Sequence, residues 1–172
     1  MASLMENLID VLNRQYEEYV RLVELSEKKT PVIVQGDLEA LQEMTDAEQL
    51  SVNRISNLDR EREEIMKDIA NVMNQDADTL RITDLITMLS KRPNEQKQLI
   101  EIKDKLKEIA QKMKRVNDKN GMLLQNSLEM VNFDLNLIQS LRQAPETANY
   151  TKGAYNAGSM MGTSSGSFDT KQ

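Results

Sequence analysis

The sequence predicts an all-α fold, an elongated antiparallel helical bundle or coiled coil of three long helices plus one short helix, with a flexible C-terminal tail. Apolar residues recur at alternating steps of three and four through most of the chain, which is the spacing of an amphipathic helix. The chain has only three prolines, and four of its six glycines lie beyond residue 150. We therefore expect a helical bundle domain over residues 1–142 and a Gly/Ser-rich flexible tail over residues 143–172.

The first helix is expected over residues 4–34. Ser3 and Glu6 have the spacing of a capping box, and apolar residues follow at helical intervals. Pro31 predicts a kink or the start of a new turn near the end of this helix. Gly36 then suits a left-handed helix end, and Asp37 suits the N-cap of the next helix.

The second helix is expected over residues 38–73, antiparallel to the first. Counting in steps of three and four from Leu38 gives seven apolar residues in eleven positions. The middle of this stripe is polar, at Thr45, Glu48, Asp59 and Arg62. These side chains either specify the register of helix pairing or face solvent where the bundle thins, and we favour the first interpretation.

A polar connector, residues 74–79, precedes a short helix expected over residues 83–90 with Thr83 as its N-cap. Pro93 then suits the first turn of a long helix over residues 94–142. At about 1.5 Å per residue this helix is roughly 75 Å long, which exceeds what a compact core requires.

The long helix carries two apolar rows. The first row, called the α4 seam below, is Leu99, Ile102, Leu106, Ile109, Met113, Val116, Asn120, Leu123, Ser127, Met130, Asp134, Leu137 and Leu141. After Gly121 a second row appears beside it, consisting of Leu124, Leu128, Val131, Leu135 and Ile138. The combined surface is too wide for one neighbouring helix and too large to stay exposed on a soluble monomer. Either the chain's own helices or an apolar helix of a partner protein must cover it.

The candidate binding site, called the apolar face of the long helix, comprises Leu123, Leu124, Leu128, Val131, Leu135 and Ile138. Burial of six such side chains contributes roughly 9 to 18 kcal/mol. Association costs on the order of 4 to 15 kcal/mol, so moderate affinity is expected.

Composition argues against several function classes. The net charge of −6 and the pI near 4.9 disfavour nucleic acid and anionic membranes as partners. The chain has no His and no Cys, which removes the usual general base, metal ligand and thiol nucleophile. We interpret the carboxylate pairs Asp76 with Asp78 and Glu63 with Glu64 as caps and solvated surface. We therefore expect no enzyme activity, no metal and no cofactor.

The N-terminus lacks the basic and apolar regions of a signal peptide, and no apolar run reaches the length of a membrane span. A cytoplasmic location without membrane insertion is the expectation.

Three short sequence motifs resemble those of one known family. They are the pattern Asn-x-x-Asn-x-x-Leu-Leu from Asn117 to Leu124, the pattern Tyr-x-x-Gly at Tyr150 and Gly153, and the Gly-Asp turn before Leu38. Together with the helical periodicity, they resemble the FlgN-like family of flagellar export chaperones, which are type III secretion chaperones for hook-associated proteins. Gly121 inside the helix and the glycine-rich extension beyond Gly158 depart from that family's pattern.

The resemblance implies a cytoplasmic chaperone that binds terminal helical segments of the hook-filament junction proteins, prevents their premature association and delivers them for export. It implies that the client binds between about Leu123 and Leu141, and that Tyr150 and Gly153 dock on the cytoplasmic domain of an export-gate membrane protein. The alternative is a self-associating structural coiled coil with no export role, in which a homodimer buries the second apolar row.

Overall fold

The computed structural model describes residues 3–143, and in this part of the chain the predicted all-α class is confirmed. The described residues form four α-helices and one short 3-10 segment, with no strand. In chain order these are α1 (Leu4–Gln35), α2 (Leu38–Val72), α3 (Ile82–Met88), the 3-10 segment (Leu89–Lys91) and α4 (Pro93–Gln143). The chain divides into two units, residues 1–130 and 131–172, and the described part of the second is the end of α4.

Short-range hydrogen bonds set the ends of α1 and the start of α2, as the sequence predicts. Ser3 Oγ accepts from the Glu6 N–H at 3.2 Å, while Glu6 Oε2 accepts from the Ser3 N–H at 2.7 Å. Gly36 takes the left-handed conformation with φ 71°, and Asp37 Oδ1 accepts from the Ala40 N–H at 3.0 Å. Each of these contacts joins residues at most three positions apart, which is why local sequence is sufficient to find them.

Pro31 lies inside α1 and does not start a new turn, so that alternative is wrong. A proline in a helix removes one backbone hydrogen bond. The last turn of α1 is nevertheless held in two ways. Ile33 is buried, and the Gly36 N–H donates to the carbonyls of Val32 and Ile33 at 3.1 and 3.2 Å.

The apolar core of the first unit is built almost entirely from aliphatic side chains, as the low aromatic content requires. It draws on all four helices and on Leu80, which lies between α2 and α3. Its buried members are Leu8, Ile9, Val11, Leu12, Leu58, Ile69, Ala70, Leu80, Leu85, Leu89, Leu99 and Ile102.

Two of the four polar residues in the α2 stripe contact α1. Glu48 accepts from Ser26 Oγ at 2.5 Å and from Lys29 Nζ at 2.8 Å. Asp59 accepts from Gln15 Nε2 at 2.6 Å, and Gln15 is itself buried. These cross-helix bonds fit the register interpretation, because a shifted pairing of α1 and α2 would leave the buried polar groups without partners.

The other two polar residues of the stripe behave differently. Thr45 is exposed and donates to the Leu41 carbonyl of its own helix at 2.8 Å. Arg62 pairs with Asp59 along α2 at 3.2 Å. The register interpretation is therefore wrong for Thr45, whose partner lies on α2 itself. Arg62 pairs with the same Asp59 oxygen that accepts from Gln15 of α1.

The prediction that Thr83 caps the short helix is also wrong. The helix begins at Ile82, and the Asp84 carboxylate accepts from the Arg81 N–H at 2.9 Å. Leu80, directly before the N-cap Arg81, is buried. In the preceding connector, Asp76 Oδ1 accepts from the Asp78 N–H at 3.1 Å, which agrees with the interpretation of this carboxylate as a cap of local backbone groups.

Candidate protein-binding face on the last helix

The α4 seam is covered along its first part. Every seam position from Leu99 to Ser127 is buried or half-buried, whereas most positions between them are exposed. Beyond Ser127 the seam becomes exposed, with Met130 at 69%, Leu137 at 49% and Leu141 at 70%. The apolar period continues without change, so the sequence pattern alone does not show this transition.

Asn120 makes the most specific contact of the covered part. Its side chain is buried, and its Nδ2 donates to the Ser26 carbonyl of α1 at 2.8 Å. Its Oδ1 accepts from the Thr30 hydroxyl of α1 at 2.7 Å. These two bonds fix α4 against α1 directly before the candidate site begins.

Gly121 follows Asn120, and a Cβ added at this residue would meet no atom within 4 Å. Among residues 3–143, therefore, no close approach of another helix requires glycine here. The structure gives no steric reason for this departure from the family pattern.

The six predicted residues of the apolar face lie on one helix, and they differ in exposure. Leu123 and Leu124 are half-buried. The other four side chains are between 48% and 60% exposed, and they are Leu128, Val131, Leu135 and Ile138. For these four, cover by the chain's own helices is not seen among residues 3–143.

The exposed apolar surface of α4 is wider than the six predicted residues. Met130, Leu137 and Leu141 belong to the seam, and residues three and four apart are neighbours on a helix. Leu141 therefore adjoins Ile138 of the face directly. Met130 and Leu137 are separated from the face by Asp134, which neighbours both rows. Phe133, 67% exposed, belongs to neither row and was missed by the three-four count. The signal that could have found Phe133 is its type, since it is one of only two phenylalanines in the chain.

Charge is sparse on this part of α4. From residue 120 to residue 141 the helix carries no Lys or Arg and only two acidic residues, Glu129 and Asp134. Glu129 accepts a hydrogen bond from Gln125 Nε2 at 3.1 Å. Asp134 is exposed, and it interrupts the apolar surface.

Several surface hollows lie on the first unit. One of about 750 Å³ is lined by residues of opposite charge, among them Arg62, Glu63, Asp78 and Lys103. Within residues 3–143 no group of three Asp or Glu residues could hold a metal ion. In the same range no helix is long and apolar enough to cross a membrane.

Tyr150 and Gly153, the predicted docking residues, lie outside the described residues, and so does the predicted tail beyond Gln143.

Comparison with models of known protein families identifies the family of this chain. The model of the family described as FlgN protein matches residues 1–157, which include all four helices and the apolar face. No curated protein and no solved structure gives a significant match. The chain belongs to the FlgN protein family, whose general role is that of a flagellar export chaperone.

Proposed function

We propose that this protein is a cytoplasmic flagellar export chaperone whose apolar face on α4 binds a terminal helical segment of a hook-associated protein. It thereby prevents premature association of the client and delivers it to the flagellar export apparatus. The single observation that carries this proposal is the exposure of Leu128, Val131, Leu135 and Ile138 on one continuous helix. Contiguous apolar surface of this kind marks protein interaction sites.

The spacing of these side chains suits a helical client. Residues at intervals of three and four present anchors to a second amphipathic helix, which lays its own apolar stripe against them. Hook-associated proteins are the general clients of the family. A chaperone must also release its client, and moderate affinity agrees with the balance between roughly 9 to 18 kcal/mol of burial and about 4 to 15 kcal/mol of association cost.

Delivery is assigned to the residues after α4. The proposal is that Tyr150 and Gly153 dock on the cytoplasmic domain of the export-gate membrane protein, which is supported by the family match as far as residue 157. Tyr150→Ala should weaken binding to that purified domain and leave client binding unchanged. Equal affinity of the variant and the wild type for the domain would contradict this assignment.

The client-binding proposal is tested by placing charge on the face. Leu128→Asp together with Val131→Asp should abolish binding of the purified hook-associated protein of the same bacterium, measured by isothermal titration calorimetry. The reason is that two carboxylates would lose their water against an apolar helix. Both side chains are exposed, so far-UV circular dichroism should show unchanged helicity.

The matched control is Asn132→Asp together with Asn136→Asp. It adds the same two charges to the following turns of α4, at exposed positions on the polar side of the helix. This control should bind the client as the wild type does. If both double variants bind normally, the apolar face is not the client site.

A further inference from the structure

Asp134 is the one charged residue within the exposed apolar surface of α4. On a helix its nearest neighbours are the residues three and four positions away. For Asp134 these are Met130, Val131, Leu137 and Ile138, which are all apolar and between 48% and 69% exposed. No Lys or Arg lies between residues 120 and 141, so α4 offers no cation within reach of this carboxylate.

A helix that packs on this surface must cover Asp134 as well as the apolar side chains around it. Removing a carboxylate from water without giving it a partner is strongly unfavourable, which penalises a helix whose contact stripe is entirely apolar. A Lys or Arg opposite the carboxylate replaces the lost water with a charge-assisted hydrogen bond. Complementary charge of this kind contributes mainly to specificity.

A second copy of this chain is a poor occupant of the surface. The same segment of a second α4 supplies no basic side chain between residues 120 and 141, and it brings another Asp134. Unpaired charges and pairs of like charge weaken the binding of a partner whose charges do not match the interface. The charge pattern therefore points to a different helix.

We propose that Asp134 is a specificity-determining residue, which selects an amphipathic client helix that carries one Lys or Arg within its apolar stripe. This inference rests on the proposed function, because it names a feature of the client that the same face binds. The basic residue and Asp134 form an ion pair at the centre of the contact, and the surrounding apolar side chains exclude water from it.

The test compares Asp134→Asn, Asp134→Lys and wild type by titration with the purified hook-associated protein of the same bacterium. Asp134→Asn keeps the size of the side chain and removes its charge, so the affinity for the client should fall about tenfold. Asp134→Lys reverses the charge, so the affinity should fall about 100-fold. Glu129→Lys is the matched control, since Glu129 is exposed on the same helix and already accepts from Gln125. This control should stay within about twofold of the wild type.

Charge exchange then identifies the partner residue. Each Lys or Arg in the bound segment of the client is replaced by Glu in turn. One replacement should weaken binding to the wild type and restore binding to Asp134→Lys. That rescue is not expected from a merely structural role of Asp134.

Two results would overturn the inference, and they differ in what else they affect. In the first, both Asp134 variants bind the client as the wild type does, while Leu128→Asp with Val131→Asp does not bind it. Selection by Asp134 is then wrong, but the apolar face remains the client site. If the Leu128 and Val131 double variant also binds normally, the face itself is wrong, and the inference fails with it.

Discussion

Gly36 and Gly121 show that one residue type has two different roles in this chain. Gly36 ends α1 in the left-handed conformation, which a residue with a Cβ adopts only at a cost. Gly121 lies inside α4 with open space around its Cα. The Gly-Asp sequence after α1 is sufficient to predict the first role, whereas only the structure shows that the second glycine is sterically unconstrained.

The two glycines should respond to alanine with opposite signs. Gly36→Ala should lower the free energy of unfolding by about 1 to 2 kcal/mol, because alanine is strained at positive φ. Gly121→Ala should raise it by roughly 0.5 to 1 kcal/mol, because glycine weakens a helix interior. Urea unfolding followed by circular dichroism measures both. A change of the same sign in both variants would contradict these assignments.

The helical elements could be predicted from the sequence where their determinants are local. The capping box at Ser3 and the helix break at Gly36 depend on residues within one turn, and the apolar period of the α4 seam is contained in the sequence itself. The N-cap of α3 could not, because it is Arg81, which lacks the side-chain oxygen that N-cap preferences rely on, and its N–H donates to the Asp84 carboxylate.

The point at which the α4 seam becomes exposed also depends on another element. Thr30 of α1 contacts Asn120, and α1 ends soon afterwards at Gln35, whereas α4 continues to Gln143. The apolar period of α4 is the same before and after Ser127, so it indicates a face and cannot say whether a helix covers it. The sequence therefore does not decide whether the chain's own helices or a partner helix covers this face.

The contact of α4 with α1 should depend on Asn120. Asn120→Ala should lower the free energy of unfolding by about 1 to 3 kcal/mol, because it leaves the Ser26 carbonyl and the Thr30 hydroxyl without this partner. Asn117→Ala, at an exposed position one turn earlier, is the control and should change it by less than about 0.5 kcal/mol. Equal effects of the two substitutions in urea titrations would argue against a structural role for Asn120.

At the scale of the whole molecule, the family match and the exposed face favour a binding protein over an enzyme. FlgN is a chaperone family, and the chain contains no His or Cys for catalysis. The remaining competitor is the self-associating coiled coil, which would use the same face. The absence of any basic residue from 120 to 141 disfavours that pairing.

Light scattering distinguishes these two possibilities. A monomer of 19.7 kDa is expected for the free protein, because a second α4 brings another Asp134 and no cation to the shared surface. A stable dimer that is lost in Leu128→Asp with Val131→Asp would instead support self-association through the face.

Hydrogen exchange with and without the client tests the central claim most directly, because it reports which backbone amides become protected on binding. The account predicts that addition of the purified hook-associated protein slows exchange along residues 123–141 of α4. Amides of the covered seam from Leu99 to Val116 are not part of the face and serve as the internal reference for unchanged exchange. Protection confined to other helices, with no change along residues 123–141, would contradict the account.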